Sequence, residues 1–123
     1  MWGKHAIIDA AGCDYESIRN IKWIEEFVDE LISLTGMKKW GKLYAMYLAP
    51  DADNTLNDTA GWSVVQLITT SNITIHFAET SKCMYLDFFS CKDFNNDVVV
   101  RLIGKYFSPK SIKTKFLERD AQY

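Results

Sequence analysis

Apolar side chains recur at intervals of three and four residues in two stretches of the chain, and this spacing predicts two helices. The first stretch is Ile18–Leu34, where acidic and basic residues fill the remaining positions and Asp14 is a suitable N-cap. The second follows Asn95 or Asn96, either of which can cap it, and runs to Ser108. Each predicted helix therefore has one apolar face with which to cover another layer.

Six further stretches are rich in β-branched and aromatic residues, which predicts strands. They are Lys4–Ala11, Trp40–Leu48, Trp62–Ile68, Asn72–Ala78, Met84–Ser90 and Ser111–Glu118. The polar segment Asp51–Ala60 has no periodicity and is predicted to be a mobile loop. Together these elements predict an α/β (α+β) fold, a two-layer sandwich of a mostly antiparallel sheet with two helices on one face.

The sheet face turned away from the helices is expected to be apolar. In Met84–Phe89 the residues of both parities are largely apolar, and hydrophobic residues make up 48% of the chain. A small protein seldom exposes such a face to water. We therefore expect a homodimer that forms through the sheet.

The bulk properties narrow the class of protein. A chain of 123 residues fits one domain, 1–123, and its net charge of −2 comes from interspersed acids and bases. This predicts no nucleic-acid partner and no membrane association, and no apolar run approaches the length of a membrane span. Three cysteines without secretory features favour reduced thiols and a cytoplasmic location.

One predicted hairpin holds the candidate chemistry. If Ile73–Phe77 and Tyr85–Phe89 pair around a loop centred on Ser81, then Ser71 lies directly opposite Cys91. Cross-strand geometry puts such a pair about 5 Å apart. A hydroxyl and a thiol that are distant in sequence are thereby predicted to be neighbours at one end of the sheet.

These residues also carry a resemblance to a known family. Ser71-Asn-Ile-Thr-Ile-His76, followed fifteen residues later by Cys91, resembles the core of the small prokaryotic pyruvoyl-dependent S-adenosylmethionine decarboxylases. Gly61-Trp-Ser63 stands where that family has a similar Gly-Val-Ser segment. Trp2-Gly-Lys-His5 and Gly12-Cys-Asp14 resemble its N-terminal motifs. The resemblance covers nearly the whole chain in order.

The resemblance implies a self-processing enzyme. Ser71 is implied to attack the carbonyl of Thr70, so that the chain is cut between residues 70 and 71 and Ser71 becomes a pyruvoyl group. That group serves as the electron sink for decarboxylation once the substrate amine has joined it as a Schiff base. His76 is implied to remove the Cα proton during elimination, Ser63 to stabilise the ester stage, and Cys91 to protonate the decarboxylated carbon.

The resemblance also implies substrate contacts, through Tyr47, Ile73 and Glu79. Tyr47 would stack on the adenine and Glu79 would bind the ribose hydroxyls. Two positions depart from the family: Thr70 replaces its usual Glu, and a missing proline brings Glu79 one residue early. A pyruvoyl-dependent ornithine or arginine decarboxylase therefore stays open as an alternative, as does an unprocessed, non-catalytic regulatory paralogue.

Without the resemblance, the same residues have ordinary explanations. Ser71 would be a turn residue, His76 a hydrogen-bonded histidine on a strand, and Cys91 a buried free thiol. A zinc site built from His76, Cys83 and Cys91 lacks a closely spaced cysteine pair and a fourth ligand. We therefore expect no metal.

Overall fold

The computed structural model describes residues 2–49 and 58–122, which form a six-stranded sheet with three helices. In chain order the elements are β1 (Gly3–Ala11), α1 (Tyr15–Arg19), α2 (Ile21–Leu34), β2 (Tyr44–Leu48), β3 (Gly61–Ile68), β4 (Ser71–Ala78), β5 (Cys83–Ser90), α3 (Asn96–Phe107) and β6 (Ser111–Arg119). The sheet order is β2-β3-β4-β5-β1-β6, and each neighbouring pair is antiparallel. The predicted α/β architecture is confirmed. The loop predicted over Asp51–Ala60 lies largely outside the described residues.

The helix predicted over Ile18–Leu34 is in fact two helices, so the prediction of two helices in total is wrong. Asn20 separates α1 from α2 with an extended backbone (φ −93°, ψ 102°), and its side chain accepts a hydrogen bond from the Trp23 backbone N–H at 3.1 Å. This local cap satisfies a free donor at the start of α2 and breaks the helix. Asp14 caps α1 as predicted, accepting from Ser17 N–H at 3.0 Å.

The strand predicted over Trp40–Leu48 begins four residues later, at Tyr44. Lys39 forms an isolated bridge with Ile68, so the chain touches the sheet briefly before it turns. Gly41 makes that turn with φ 76°, a left-handed conformation that glycine adopts without steric cost. The strand can start only after this turn.

Helices α2 and α3 cover one face of the sheet and complete the core. Phe27 of α2 and Phe107 of α3 meet edge to face with ring centroids 5.0 Å apart, and Phe107 packs on Phe77 of β4 at 5.3 Å. All three rings are fully buried. Since burying one such side chain stabilises the fold by about 1.5–3 kcal/mol, this contact fixes the position of β4.

The β4–β5 hairpin differs by one residue from the predicted register. Ile73 pairs with Phe88, and the loop is residues 79–82, with Lys82 in the left-handed region at φ 58°, so it is not centred on Ser81. Ile73 and Phe88 are both buried under the helices. A shift of one residue would place a buried side chain opposite an outward one, and burial therefore decides the register.

The other face of the sheet is open in the described part of the chain. Two rows of directly paired residues cross it: Met46, Ser63, His76, Tyr85 and Asp9 in one, and Leu67, Asn72, Phe89, His5 and Leu117 in the other. Met46 is 64% exposed, and Leu67 and Tyr85 are each 46% exposed. The expectation of an uncovered face with large apolar side chains is confirmed for these residues. Within the described ranges, no helix is long and apolar enough to cross a membrane.

Candidate active site

Ser63 and His76 are directly paired on β3 and β4, and their side chains meet on the open face. Ser63 Oγ lies 2.6 Å from His76 Nδ1, and His76 Nε2 lies 2.9 Å from the carbonyl oxygen of Thr59. A carbonyl oxygen only accepts hydrogen bonds, so in the neutral ring Nε2 carries the hydrogen and Nδ1 accepts from the Ser63 hydroxyl. These three residues, the His76 cluster, can therefore exchange a proton at Nδ1.

Glu79 directly follows β4, close along the chain to His76, and is only 7% exposed. The Tyr47 hydroxyl donates to Glu79 Oε1 at 2.6 Å, and Arg19 Nε lies 3.4 Å from Oε2. Because the phenol donates to this carboxylate, the bond raises the pKa of Tyr47 above its ordinary value. Oε2 is buried, is ion-paired with Arg19 and makes no hydrogen bond within the described residues.

A cleft of about 530 Å³ opens beside Tyr47 and Arg19, the two side chains that contact Glu79. It is lined by Glu16, Arg19, Asn20, Tyr47 and Trp62. The Trp62 ring lies 5.2 Å from the Tyr47 ring, and its Nε1–H donates to the Arg19 carbonyl at 3.0 Å. The cleft thus combines aromatic surface with charged groups, as small-molecule sites do. The predicted substrate residues Tyr47 and Glu79 are brought together here.

Thr70, Ser71 and Cys91 form a second group, the Ser71 cluster, at the opposite end of β4. The Thr69–Thr70 turn joins β3 to β4, and Ser71 is the first residue of β4. Thr70 Oγ1 lies 2.6 Å from Cys91 Sγ, and the Cys91 backbone N–H donates to Ser71 Oγ at 3.3 Å. The predicted proximity of Ser71 and Cys91 therefore holds, although the register from which it was inferred is wrong by one residue.

The structure does not bring Ser71 and His76 together within one protomer. They are five residues apart on β4, which corresponds to about 16 Å along an extended strand. An odd separation also assigns their side chains to opposite faces of the sheet. Within one protomer, the His76 cluster and the Ser71 cluster are therefore separate.

Ile73, the third residue for which a substrate contact was predicted, lies in the hydrophobic core and is fully buried. Its position follows from strand alternation, since Ile73 and Ile75 share the face that the helices cover. A ligand cannot reach this side chain without displacing the helices. The fold gives no support to a substrate contact through Ile73.

The alternative zinc ligands are also dispersed. His76 belongs to one cluster and Cys91 to the other, and the Cys83 thiol donates to the Ser81 carbonyl at 3.4 Å. The described residues contain no group of three His, Cys, Asp or Glu side chains placed to hold a metal ion.

A second cleft, of about 650 Å³, lies beside Phe89, two residues before Cys91. It is lined by Trp2, Phe89, Arg119 and the residues on either side of Arg119. Trp2 stacks on Phe89 at 5.9 Å between centroids, and the Arg119 guanidinium lies 5.0 Å over the same ring. This arrangement adds an aromatic surface two residues before Cys91.

Sequence reasoning missed Arg19, Trp62 and Thr59. Arg19 follows the helical pattern as an ordinary polar position, and only the break at Asn20 places it beside the Glu79 carboxylate. Thr59 enters the site through its backbone carbonyl, which any residue supplies. Trp62 had a signal, because it stands between Gly61 and Ser63 in a motif already singled out.

Comparison with solved structures shows which class of fold this is. The crystal structure of the adenosylmethionine decarboxylase from Aquifex aeolicus matches with a TM-score of 0.77, covering 96% of this chain and 90% of that one. Sequence identity between the two is 21%, so the match shows the shared fold alone.

Sequence comparison identifies the family. The family model for S-adenosylmethionine decarboxylase matches residues 4–120. The S-adenosylmethionine decarboxylase proenzymes of Clostridium botulinum strains Langeland and Okra are each 25% identical over 118 residues, covering 95% of this chain and 93% of theirs. The chain belongs to the S-adenosylmethionine decarboxylase family.

Proposed function

We propose that the protein is a pyruvoyl-dependent S-adenosylmethionine decarboxylase that supplies the aminopropyl donor for spermidine synthesis, acting in the cytoplasm. The family match over residues 4–120 supports the reaction class. The single observation that carries the proposal is the Ser71 cluster, in which the hydroxyl of the strand-opening Ser71 accepts the Cys91 N–H and the Cys91 thiol contacts the Thr70 side chain. Self-cleavage requires the Ser71 hydroxyl next to the Thr70 carbonyl that precedes it in the chain, and decarboxylation requires a proton donor such as this thiol.

Self-processing starts with attack of Ser71 Oγ on the Thr70 carbonyl carbon. The new C–O bond forms as the Thr70–Ser71 C–N bond breaks, and the hydroxyl proton passes to the freed nitrogen, which leaves an ester. A base then removes the Ser71 Cα proton while the bond between Cβ and the ester oxygen breaks. Thr70 departs as a carboxylate, and water releases the nitrogen as ammonia to leave a pyruvoyl group. Products are fragment 1–70 and a pyruvoyl-led fragment 71–123.

The position of Ser71 suits this conversion. It begins β4 directly after a turn, so cleavage at its amide cuts no strand, and its hydroxyl already accepts the Cys91 N–H. Once formed, the pyruvoyl group supplies the electron sink for decarboxylation. Cys91, the adjacent thiol, then donates a proton to the substrate carbon that has lost carbon dioxide.

The base is supplied across a homodimer. His76 cannot reach Ser71 within one protomer, because the two lie about 16 Å apart along β4. The open apolar face favours pairing of two sheets, and a two-fold axis that crosses β4 near Thr74 would place the end of β4 that begins with Ser71 across from His76 of the partner subunit, with Ser71 reached at the strand end because its side chain is on the other face. Each active site then contains one Ser71 cluster and the partner's His76 cluster.

The nucleoside is recognised beside Glu79. Its carboxylate, which the Tyr47 hydroxyl orients and Arg19 pairs with, accepts from the ribose hydroxyls. The Tyr47 and Trp62 rings supply the aromatic surface of the adjoining cleft. Ornithine and arginine have no ribose to use this acceptor, so the arrangement favours S-adenosylmethionine.

Carbon dioxide release from carboxyl-labelled substrates tests the assignment. The purified protein should release labelled carbon dioxide from S-adenosylmethionine, and borohydride with substrate present should abolish activity by trapping it on the pyruvoyl group. The Ser71→Ala variant is the matched control, because it lacks the hydroxyl and cannot form the group. Release from ornithine or arginine, and not from S-adenosylmethionine, would refute the proposed substrate.

A further inference from the structure

Thr70 has an unusual backbone conformation. Its φ is 60°, in the left-handed region that β-branched residues rarely adopt. Neighbouring contacts hold the turn in place, since the Thr69 N–H donates to the Lys38 carbonyl at 3.0 Å. Strain of this kind persists only where the surroundings determine the conformation, and it is concentrated at functional sites.

The Thr70 side chain fixes the direction of the Cys91 thiol. Thr70 Oγ1 donates to the Thr69 carbonyl at 2.6 Å and also lies 2.6 Å from Cys91 Sγ. A hydroxyl has one hydrogen, which the carbonyl takes, so the contact with sulfur uses the thiol hydrogen. Cys91 is therefore the donor in its contact with Thr70.

Cys91 contacts residues on both sides of one peptide bond. Its side chain bonds Thr70, and its backbone N–H donates to Ser71 Oγ at 3.3 Å. The side chain of the residue whose carbonyl is attacked and the hydroxyl that attacks thus both contact Cys91, the residue that directly follows β5. Movement of Cys91 would disturb both reacting groups.

We propose that Thr70 is a positioning residue for self-processing, which acts by anchoring the Cys91 thiol in the precursor and releasing it on cleavage. The inference rests on the proposed cleavage between residues 70 and 71. Before cleavage, the contact with the Thr70 hydroxyl holds the thiol in one direction, toward the turn. Afterwards Thr70 is a free chain end, its left-handed conformation is no longer enforced, and Cys91 can turn to the substrate. The catalytic acid is available only in the processed enzyme.

Thiol labelling in a chain that cannot be cleaved tests the contact between Thr70 and Cys91 separately from self-processing. In a Ser71→Ala, Cys83→Ser background, Cys91 is the accessible thiol, because Cys13 is buried and burial raises its pKa to about 11. Adding Thr70→Val keeps the branched shape and removes the hydroxyl. Labelling of Cys91 by a disulfide reagent should become about fivefold faster, the change expected for loss of one neutral hydrogen bond.

Thr70→Ser is the matched control in the same background, since it keeps the hydroxyl and should label at the parent rate. Equal labelling rates for the Thr70→Val chain and its parent would show that Thr70 does not anchor the Cys91 thiol. Circular dichroism of each variant checks that the fold is retained. None of these measurements depends on self-cleavage.

The rate of self-cleavage tests the positioning role. With Ser71 present, precursor made by cell-free translation should split about fivefold more slowly with Thr70→Val than with Thr70 or Thr70→Ser. Thr70→Gly removes both the hydroxyl and the constraint on φ and should be slower still. Cleavage of the Val variant at the parent rate would overturn the proposal. A parent chain that never splits would instead refute the proposed function, while the labelling result would still decide the anchor.

Discussion

Ser63 Oγ lies 2.6 Å from His76 Nδ1, between directly paired residues of β3 and β4. Because Nε2 is bonded to the Thr59 carbonyl, both ring nitrogens have a partner and the imidazole is held in one orientation. Nδ1 therefore faces Ser63 on the open face of the sheet. If two protomers pack through this face, as proposed above, the pair lies at their interface.

Processing across the dimer is the first prediction. A His76→Ala chain made alone should form the ester but not complete elimination, so hydroxylamine should cut it without yielding a pyruvoyl end. Co-expression with a Ser71→Ala chain should restore a pyruvoyl fragment from the His76→Ala chain, since one site of the mixed dimer is complete. Mass spectrometry of differently tagged chains measures this. A His76→Ala chain that stays unprocessed in the mixed dimer would contradict the shared site.

Assembly through the open face is the second prediction. Leu67 is 46% exposed on that face, and Leu67→Lys should weaken the dimer at least about tenfold, because burial of one leucine is worth about 1.5–3 kcal/mol. Leu34, 57% exposed at the end of α2, provides the control, and Leu34→Lys should leave the dimer intact. Light scattering over a dilution series distinguishes the two. Equal behaviour of both variants would exclude this face as the interface.

Substrate recognition through Glu79 gives the third prediction. Tyr47→Phe removes the hydroxyl that donates to Glu79 Oε1 but keeps the ring. KM for S-adenosylmethionine should rise about tenfold with little change in kcat, since hydrogen bonds to charged groups contribute about 1.5–3 kcal/mol. Tyr44→Phe, which removes an exposed hydroxyl from the same strand, is the control. An unchanged KM would exclude a contribution of the Tyr47 hydroxyl to substrate binding.

The sequence was sufficient for most of the architecture, because alternation and helical spacing are strong in this chain. It was insufficient where a single residue determines the end of a helix or the register of two strands. Asn20 ends α1 by capping α2, a local competition that the apolar spacing of Ile18–Leu34 hides. The β4–β5 register depends on the parity of the loop 79–82, and only burial of Ile73 against the helices reveals it.

The Ser71–His76 motif identified a residue of each cluster in the candidate site, but it did not predict the distance between the two clusters. Ser71 and His76 are close in sequence, yet an extended strand separates them by about 16 Å, and a motif carries no information about the partner that would bridge this gap. Nothing in the sequence indicated Arg19 as a site residue, because its position beside Glu79 depends on where the helix ends. Tyr47 and Glu79, far apart in sequence, are joined only by the fold.

Alkaline pH should destabilise the fold through Tyr106, the fourth prediction. Burial and the hydrogen bond to Glu30 raise the pKa of Tyr106 to about 12, from an ordinary value of 10. Because the folded state favours the neutral phenol, this stabilisation is fully present below pH 10 and is lost as pH rises toward 12. Thermal midpoints should fall over this range, and fall less for Tyr106→Phe. Parallel curves for both proteins would contradict the assignment.

Intact-mass spectrometry of the purified protein tests the central claim most directly. Self-processing predicts two fragments, 1–70 and 71–123, with the second blocked at its N-terminus by a carbonyl that reacts with a hydrazide. The Ser71→Ala chain, purified in parallel, should give one full-length mass and no such carbonyl. A folded wild-type protein that yields only the full-length mass, or a Ser71→Ala chain that still splits between residues 70 and 71, would contradict the account.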